Sequence, residues 1–391
     1  MSKRRVAIVG VGRTYHRTKR PDVNIPELSY EAAKAALDDA NLEFKDIDAI
    51  VIGNMEFFEN RSMTEMWQMD HIGGYLKSGV HVATGGTVGA TVASTAFEYA
   101  ASGLFNTVLA VGFEKQSEAD SRAAIRLTGD PCDGRSLMRA AVGILAMFAF
   151  DYMQRTGCKE EHAAMVRLRA DKNACRNPWA HLKLGLQSID QIMASPYVLT
   201  PLRYLDMCPT SEGAAAIIVA PEEKARKIAK KPVWVVDWES AHNSGLQTKF
   251  GAPLVSTASL AEAVGRLFKR NGITNPRKQI SVAELYTPST YGELLWIESY
   301  GLCGEGEAWK LEEKGEFNME GPFPVNPSGG VLATNAIAST GVLRPLEAAL
   351  QLREDAGEHQ ITRKPHLALS TGWGGLSWTV AHLLSNRLDL D

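Results

Sequence analysis

Apolar positions along this chain alternate between two periods, short continuous runs and longer stretches with helical spacing. Val6 to Val11 is a buried run that reads as a first strand, and Leu28 to Ala40 has the i, i+3, i+4 spacing of an amphipathic helix. Ile47 to Gly53 predicts a strand, Thr84 to Gly103 a helix of small residues, and Thr107 to Gly112 another strand. Small residues on every side of the Thr84–Gly103 helix imply close packing all round, which places it centrally.

The order then repeats. Pro232 to Trp238 predicts a strand, Leu260 to Asn271 a helix, and Ile280 to Tyr286 a strand. Ser328 to Leu350 reads as a turn running into a helix, and His366 to Ser370 and Trp378 to Leu384 as closing strands. Two copies of one strand–helix pattern point to an α/β chain built by duplication, each half burying one sheet between helices. The halves are expected at 1–230 and 231–391, joined by the charged stretch from Glu222 to Lys231. Residues 114–205 break the alternation with helical stretches at Leu137–Thr156 and Glu160–Asn173 and a Trp/Tyr/Pro-rich run. An insertion after a strand end belongs over the sheet's carboxyl edge, where α/β sites form, or serves as a packing or dimerisation subdomain.

Composition narrows the functional classes. With 391 residues, 45% hydrophobic, 22% charged and a net charge of -3, the chain reads as an ordinary globular protein. That charge gives no electrostatic case for nucleic acid or an anionic membrane. No run approaches the ~18 apolar residues of a membrane span. The five cysteines, Cys132, Cys158, Cys175, Cys208 and Cys303, form no CxxC pair, so a cytoplasmic, reducing setting is expected and no metal site. Gly10-Val-Gly12 reads as a plain strand-ending turn, because a third dinucleotide-type glycine would fall at Tyr15.

Two glycine-rich segments carry more. Thr84-Gly-Gly-Thr-Val-Gly can expose the amides of Gly85 and Gly86 to an oxyanion, or serve tight helix packing. Asn326-Pro-Ser-Gly-Gly precedes Val331-Leu-Ala-Thr-Asn335, a turn leading into a second small-residue helix. With Leu109-Ala-Val-Gly-Phe-Glu, Asp206-Met-Cys-Pro-Thr-Ser-Glu-Gly, Glu284-Leu-Tyr286 and Gly372-Trp-Gly374-Gly, these segments follow the order of a known family. The chain resembles the thiolase superfamily, and within it the sterol-carrier-protein-thiolase-like branch. That resemblance implies a thiolase fold, a duplicated five-layer αβαβα architecture with a helical insertion.

Departures from the family lie at its catalytic positions. The nucleophilic Cys corresponds to Val82, the thiol-activating His to Asn335, and the polar residue after the third central strand falls at Tyr286 and Thr287. Loss of the thiol closes the acyl-cysteine route. The resemblance then implies carbanion chemistry beside a coenzyme A thioester. Asn335 is expected to donate to an enolate oxygen together with backbone amides near Gly85, Gly86 and Gly374, while Tyr286 acts as general acid or base or forms a pocket wall. As a base, the phenol would need its pKa lowered from ~10. His242 and Cys132 are further candidates for the site's edge. Arg122, Arg126 and Arg135 are candidates for the coenzyme phosphates, and Trp179, Tyr197 and Tyr204 for enclosing a bulky acyl group.

Retro-aldol cleavage of a bulky β-hydroxyacyl-CoA and direct retro-Claisen cleavage or thiolysis of a β-ketoacyl-CoA both fit, with coenzyme A as a substrate moiety and no covalently bound cofactor. A non-catalytic acyl-CoA-binding or scaffolding subunit is the alternative. The resemblance further implies a homodimer core and a small partner of OB-fold and zinc-ribbon type.

Overall fold

The computed structural model describes residues 4–128, 140–243, 255–374 and 378–389. In the first half, strand β1 (Val6–Arg13) leads to helix α1 (Ile25–Ala40) and strands β2 (Ala49–Gly53) and β3 (Ser78–Val82). Helix α2 (Val88–Ser102) and strands β4 (Val108–Glu114) and β5 (Gly213–Pro221) complete it. Helices α3 (Ala140–Thr156) and α4 (Glu160–Arg176) are inserted between β4 and β5. The second half runs β6 (Val233–His242), α5 (Ala258–Arg270), β7 (Val282–Glu284), α6 (Thr290–Ser299), α7 (Ile337–Arg353), β8 (Leu367–Gly374) and β9 (Trp378–Ser385).

Local sequence explains these boundaries. Asn24 and Glu27 form a reciprocal capping box with Pro26 in the first turn of α1, and Asn41 ends that helix at φ 52°. Glycines 10 and 12 do not end β1, as the sequence suggested. The strand continues to Arg13, and a Cβ at Gly12 would lie 2.2 Å from the Ala32 carbonyl of α1, so the glycines admit the helix.

The strands form one nine-stranded sheet in the order β3-β2-β4-β5-β1-β6-β9-β8-β7. Separate sheets for the two halves were expected, but antiparallel pairing of β1 with β6 makes them continuous. The duplication is visible in the register: β2·β4 and β7·β8 are parallel, while β4·β5 and β8·β9 are antiparallel. Edge strand β3 has only a vestige in the second half, a single parallel bridge between Ala283 and Val325.

Helices α2 and α7 lie side by side and touch strands of both halves, with α1 outside the first half and α5 and α6 outside the second. This is the five-layer arrangement of the thiolase fold. At the centre, a Cβ on Gly89 would lie 1.9 Å from the Ala338 carbonyl and 2.7 Å from the Gly341 Cα. The small residues of α2 are therefore a packing requirement, as their distribution around the helix indicated. The insertion packs on the second half: the Arg167 guanidinium donates to the Leu332 carbonyl at 2.7 Å, and the Asn173 amide to that of Asn326 at 3.1 Å. Among the described residues no helix is long and apolar enough to cross a membrane.

Candidate active site

The carboxyl ends of β4, β7 and β8 meet the amino ends of α2 and α7. Tyr286 lies two residues beyond β7, a shorter strand than the Ile280–Tyr286 run suggested. The strand ends early because the backbone turns to side-chain acceptors. The Leu285 amide donates to Asn326 Oδ1 at 2.7 Å and the Tyr286 amide to Thr371 Oγ1 at 3.1 Å. Asn326 tolerates its φ of 49°, and its amide nitrogen donates to Glu293 Oε2 at 2.5 Å. So anchored, the Tyr286 hydroxyl donates to Asn335 Oδ1 at 3.0 Å, and Asn335 Nδ2 donates to Cys208 Sγ at 3.2 Å. The structure thus joins two of the sequence candidates and adds a cysteine that sequence reasoning left without a role.

Asn335 is gripped on both sides of its peptide. Its amide donates to Ser211 Oγ at 3.0 Å, and its carbonyl accepts from the Ser211 amide at 3.0 Å and from Gln116 Nε2 at 3.1 Å. His181 Nδ1 lies 2.8 Å from the same Ser211 hydroxyl. The Asn-Pro-Ser-Gly-Gly segment supplies further anchors. Ser328 donates through its hydroxyl to Glu284 Oε2 at 2.8 Å, and Arg344 pairs with the same oxygen at 2.5 Å. Gly329 takes φ 91°, and a Cβ there would meet the Ala174 side chain at 2.9 Å.

Electrostatics decide which way protons can move. Burial pushes the Tyr286 pKa well up, reinforced by the charges of Cys208 and Glu114 and opposed by Arg344. The phenol therefore holds its proton at neutral pH and acts as a donor, whereas a general base would need the opposite shift. Burial also pushes the Cys208 thiol up to about 11, against the Asn335 hydrogen bond and Arg167, so it is a poor nucleophile at neutral pH. An amide nitrogen carries two N–H groups. With one on sulfur, the second N–H of Asn335 has no partner among the described residues.

Val82, half-buried at the end of β3, packs on the apolar cluster around α2. Just after it, Gly85 has φ 59°, with open space where its side chain would be. Gly86 and Gly374 meet: a Cβ on Gly374 would lie 2.7 Å from the Thr87 amide nitrogen and 3.2 Å from that of Gly86. First-turn amides have no intrahelical acceptor, so this turn presents donors. Strand β8 links the two clusters, with Thr371 holding Tyr286 and Gly374, about 10 Å along, touching the Gly86–Thr87 turn.

The other candidates lie in different surroundings. His242 is exposed at the end of β6, edge-on to Trp378 at 5.5 Å. Trp179 stacks on Tyr15 at 4.2 Å, while Tyr197 binds Glu160 and Tyr204 is exposed at the surface of the insertion. Arg126 is exposed. Cys132, Arg135 and the side chain of Arg122 lie outside the described residues.

Residues 245–386 match the family described as Thiolase C-terminal domain-like. An acetyl-CoA acetyltransferase of Methanothermobacter thermautotrophicus is 30% identical over 388 residues, covering 98% of this chain and 100% of that one. The chain belongs to the thiolase superfamily. Its sterol-carrier-protein-thiolase-like character is shown by human sterol carrier protein 2, 30% identical over 392 residues, 95% of this chain and 70% of that protein. A solved structure described as "Ltp2-ChsH2(DUF35) aldolase" superposes with a TM-score of 0.84 at 22% identity, covering 99% of this chain and 100% of that one. The superfamily's fold is thus retained.

Proposed function

We propose that this protein cleaves or forms a carbon–carbon bond next to a coenzyme A thioester without an acyl-cysteine, as a retro-aldolase of a bulky β-hydroxyacyl-CoA. The observation that carries this reading is the Tyr286–Asn335 hydrogen bond in a site whose nucleophile position holds Val82. In the cleavage direction the β-hydroxyl loses its proton to a base or water, the Cα–Cβ bond breaks to a carbonyl, and the electron pair becomes a thioester enolate. The free N–H of Asn335, beside Tyr286, is the donor for the enolate oxygen, and the amides of Gly86 and Thr87 are donors for a different oxygen of the substrate. The protonated phenol of Tyr286 gives its proton to Cα and is reprotonated by the proton that the β-hydroxyl released. The aldolase named in the structural neighbour supports this chemistry.

A second reading, retro-Claisen cleavage or thiolysis of a β-ketoacyl-CoA, is supported by the acetyltransferase relative. There, free coenzyme A would attack the β-carbonyl directly and the same enolate would leave. We further propose a homodimer. Strand β3 is an open sheet edge, and Met63, Met66, Trp67, Tyr75 and Leu76 are exposed near it in sequence. A small partner subunit is proposed from the two components joined in the neighbour's name, and the family resemblance makes it one of OB-fold and zinc-ribbon type.

The test is to incubate the protein, alone and with a candidate small subunit of OB-fold and zinc-ribbon type, with β-hydroxyacyl-CoA and β-ketoacyl-CoA esters, and to identify products by mass. Release of an aldehyde or ketone plus a shortened acyl-CoA from the β-hydroxy ester supports the first reading. Coenzyme A-dependent cleavage of the β-keto ester supports the second. Tight binding with no product from either leaves the protein as a non-catalytic acyl-CoA-binding subunit.

A further inference from the structure

Behind the Asn335 turn lie two buried carboxyl groups that the proposed reaction does not use. Glu59 and Glu114 are 1% and 0% exposed, and adjoining segments hold both carboxyls: Asn54 and Lys115 bind Glu59, while Met55, next to Asn54, binds Glu114, next to Lys115. Each of their four oxygens also accepts an N–H. The Met55 amide donates to Glu114 Oε1 at 2.7 Å and the Ala338 amide to Glu114 Oε2 at 2.9 Å. On Glu59, the Lys115 amide donates to Oε1 and Asn54 Nδ2 to Oε2, both at 2.7 Å. The bonded segments are the ends of β2 and β4 and the first turn of α7, three residues beyond Asn335.

Two carboxyls held by the same adjoining segments in so dry a place cannot both stay ionised at little cost, and one proton between them resolves the repulsion. We propose that Glu59 and Glu114 act as a proton-sharing pair that positions the first turn of α7, and with it the Asn335 amide against Tyr286. They are positioning residues, and the assignment rests on the reading of Asn335 and Tyr286 given above. Burial raises both groups, Glu59 to about 7 and Glu114 well above the carboxylate range.

The charged and titratable neighbours are few. Lys115 is bound to Glu118 at 2.7 Å, and His81 reaches the pair only through Asn54 while its Nδ1 faces Glu65 at 3.1 Å and Glu56 at 3.7 Å. Tyr286 senses Glu114 from beyond β7, and Arg344 projects from α7 toward Glu284.

The folded pair keeps protons that the unfolded chain releases near pH 4.5, so its contribution to stability is full below that pH. It is lost as pH rises through the folded values, for Glu59 between about 4.5 and 7. The experiment measures urea unfolding from pH 5 to 9, and amide exchange over residues 330–345, in the wild type, Glu59→Gln, Glu114→Gln and Glu114→Ala. Each Gln variant is expected to reduce the fall of stability with pH by one proton's slope. Glu114→Ala should speed exchange of the Ala338 segment at least tenfold, and Glu114→Gln, which keeps an acceptor oxygen, should restore its protection. If catalysis is detected, Glu114→Ala should lower kcat with KM held. An unchanged pH slope in both Gln variants, or unchanged exchange in Glu114→Ala, overturns the proposal. Should the Ala variant not fold, the slopes decide. Neither stability nor exchange depends on turnover, so failure here is distinct from failure of the proposed function.

Discussion

The turn that opens α2 and the turn that opens α7 hold equivalent places in the two halves, yet they are held very differently. The first, Val82 to Thr87, is shaped by glycines and by contact with Gly374, and offers backbone amides and an apolar wall. The second, Asn326 to Ala338, is tied by side chains from β4, from the segment before β5, from β7 and from the insertion, and presents Asn335 to Tyr286. On the reading proposed above, the reactive side chain is missing from one half while the other half's polar machinery stays. Chemistry that needs donors rather than a thiol is what such a site retains.

The largest effect should come from breaking what both turns share. Gly89→Val drives a branched side chain into the Ala338 backbone, and we expect a loss of about 3 kcal/mol or more, read as a collapsed thermal midpoint or insoluble protein. Next come the second turn's side chains. Asn335→Ala and Tyr286→Phe should each cut turnover about a hundredfold or more, with the thermal midpoint within a few degrees of wild type. Equal losses of turnover and stability would instead make them wall residues.

Between about pH 5 and 7, Glu284 and Glu59, raised to about 7 when folded, make stability fall as pH rises, while buried His16 and His382, lowered to about 3 and about 4, make it rise. The Glu59 share should therefore appear as a more positive pH slope of the thermal midpoint in Glu59→Gln than in wild type. Equal slopes in the variant and the wild type would contradict the assignment. Cys208→Ala should cost only about three- to tenfold in turnover, because a neutral hydrogen bond to Asn335 is what is lost. The smallest effect belongs to the first turn's lost position: Val82→Ala should leave turnover within about threefold.

The alternation of strands and helices, the duplication and the central place of α2 were all legible, because each follows from a local hydrophobic period or from small residues in a helix. The continuous sheet was not, since nothing in β1 or β6 states that the two edges pair. Tyr286 and Asn335 were found through the family resemblance, whereas Cys208 was passed over. Its contact with Asn335 spans 127 positions of sequence and leaves no periodic trace. The direction of the Tyr286 pKa depends on burial and on Glu114, neither of which a strand-end tyrosine reveals. A faint signal for Glu114 did exist, a lone acid closing the apolar run Val108 to Phe113.

The central claim is carbon–carbon bond chemistry with no covalent acyl-enzyme. Intact-protein mass spectrometry during turnover of a β-hydroxyacyl-CoA tests it most directly, with the wild type compared with Val82→Cys. Product formation with no acyl adduct on the wild-type protein is the expected result, and Val82→Cys should neither speed turnover nor be needed for it. An acyl adduct on a wild-type cysteine that forms and decays at the rate of turnover would contradict the account.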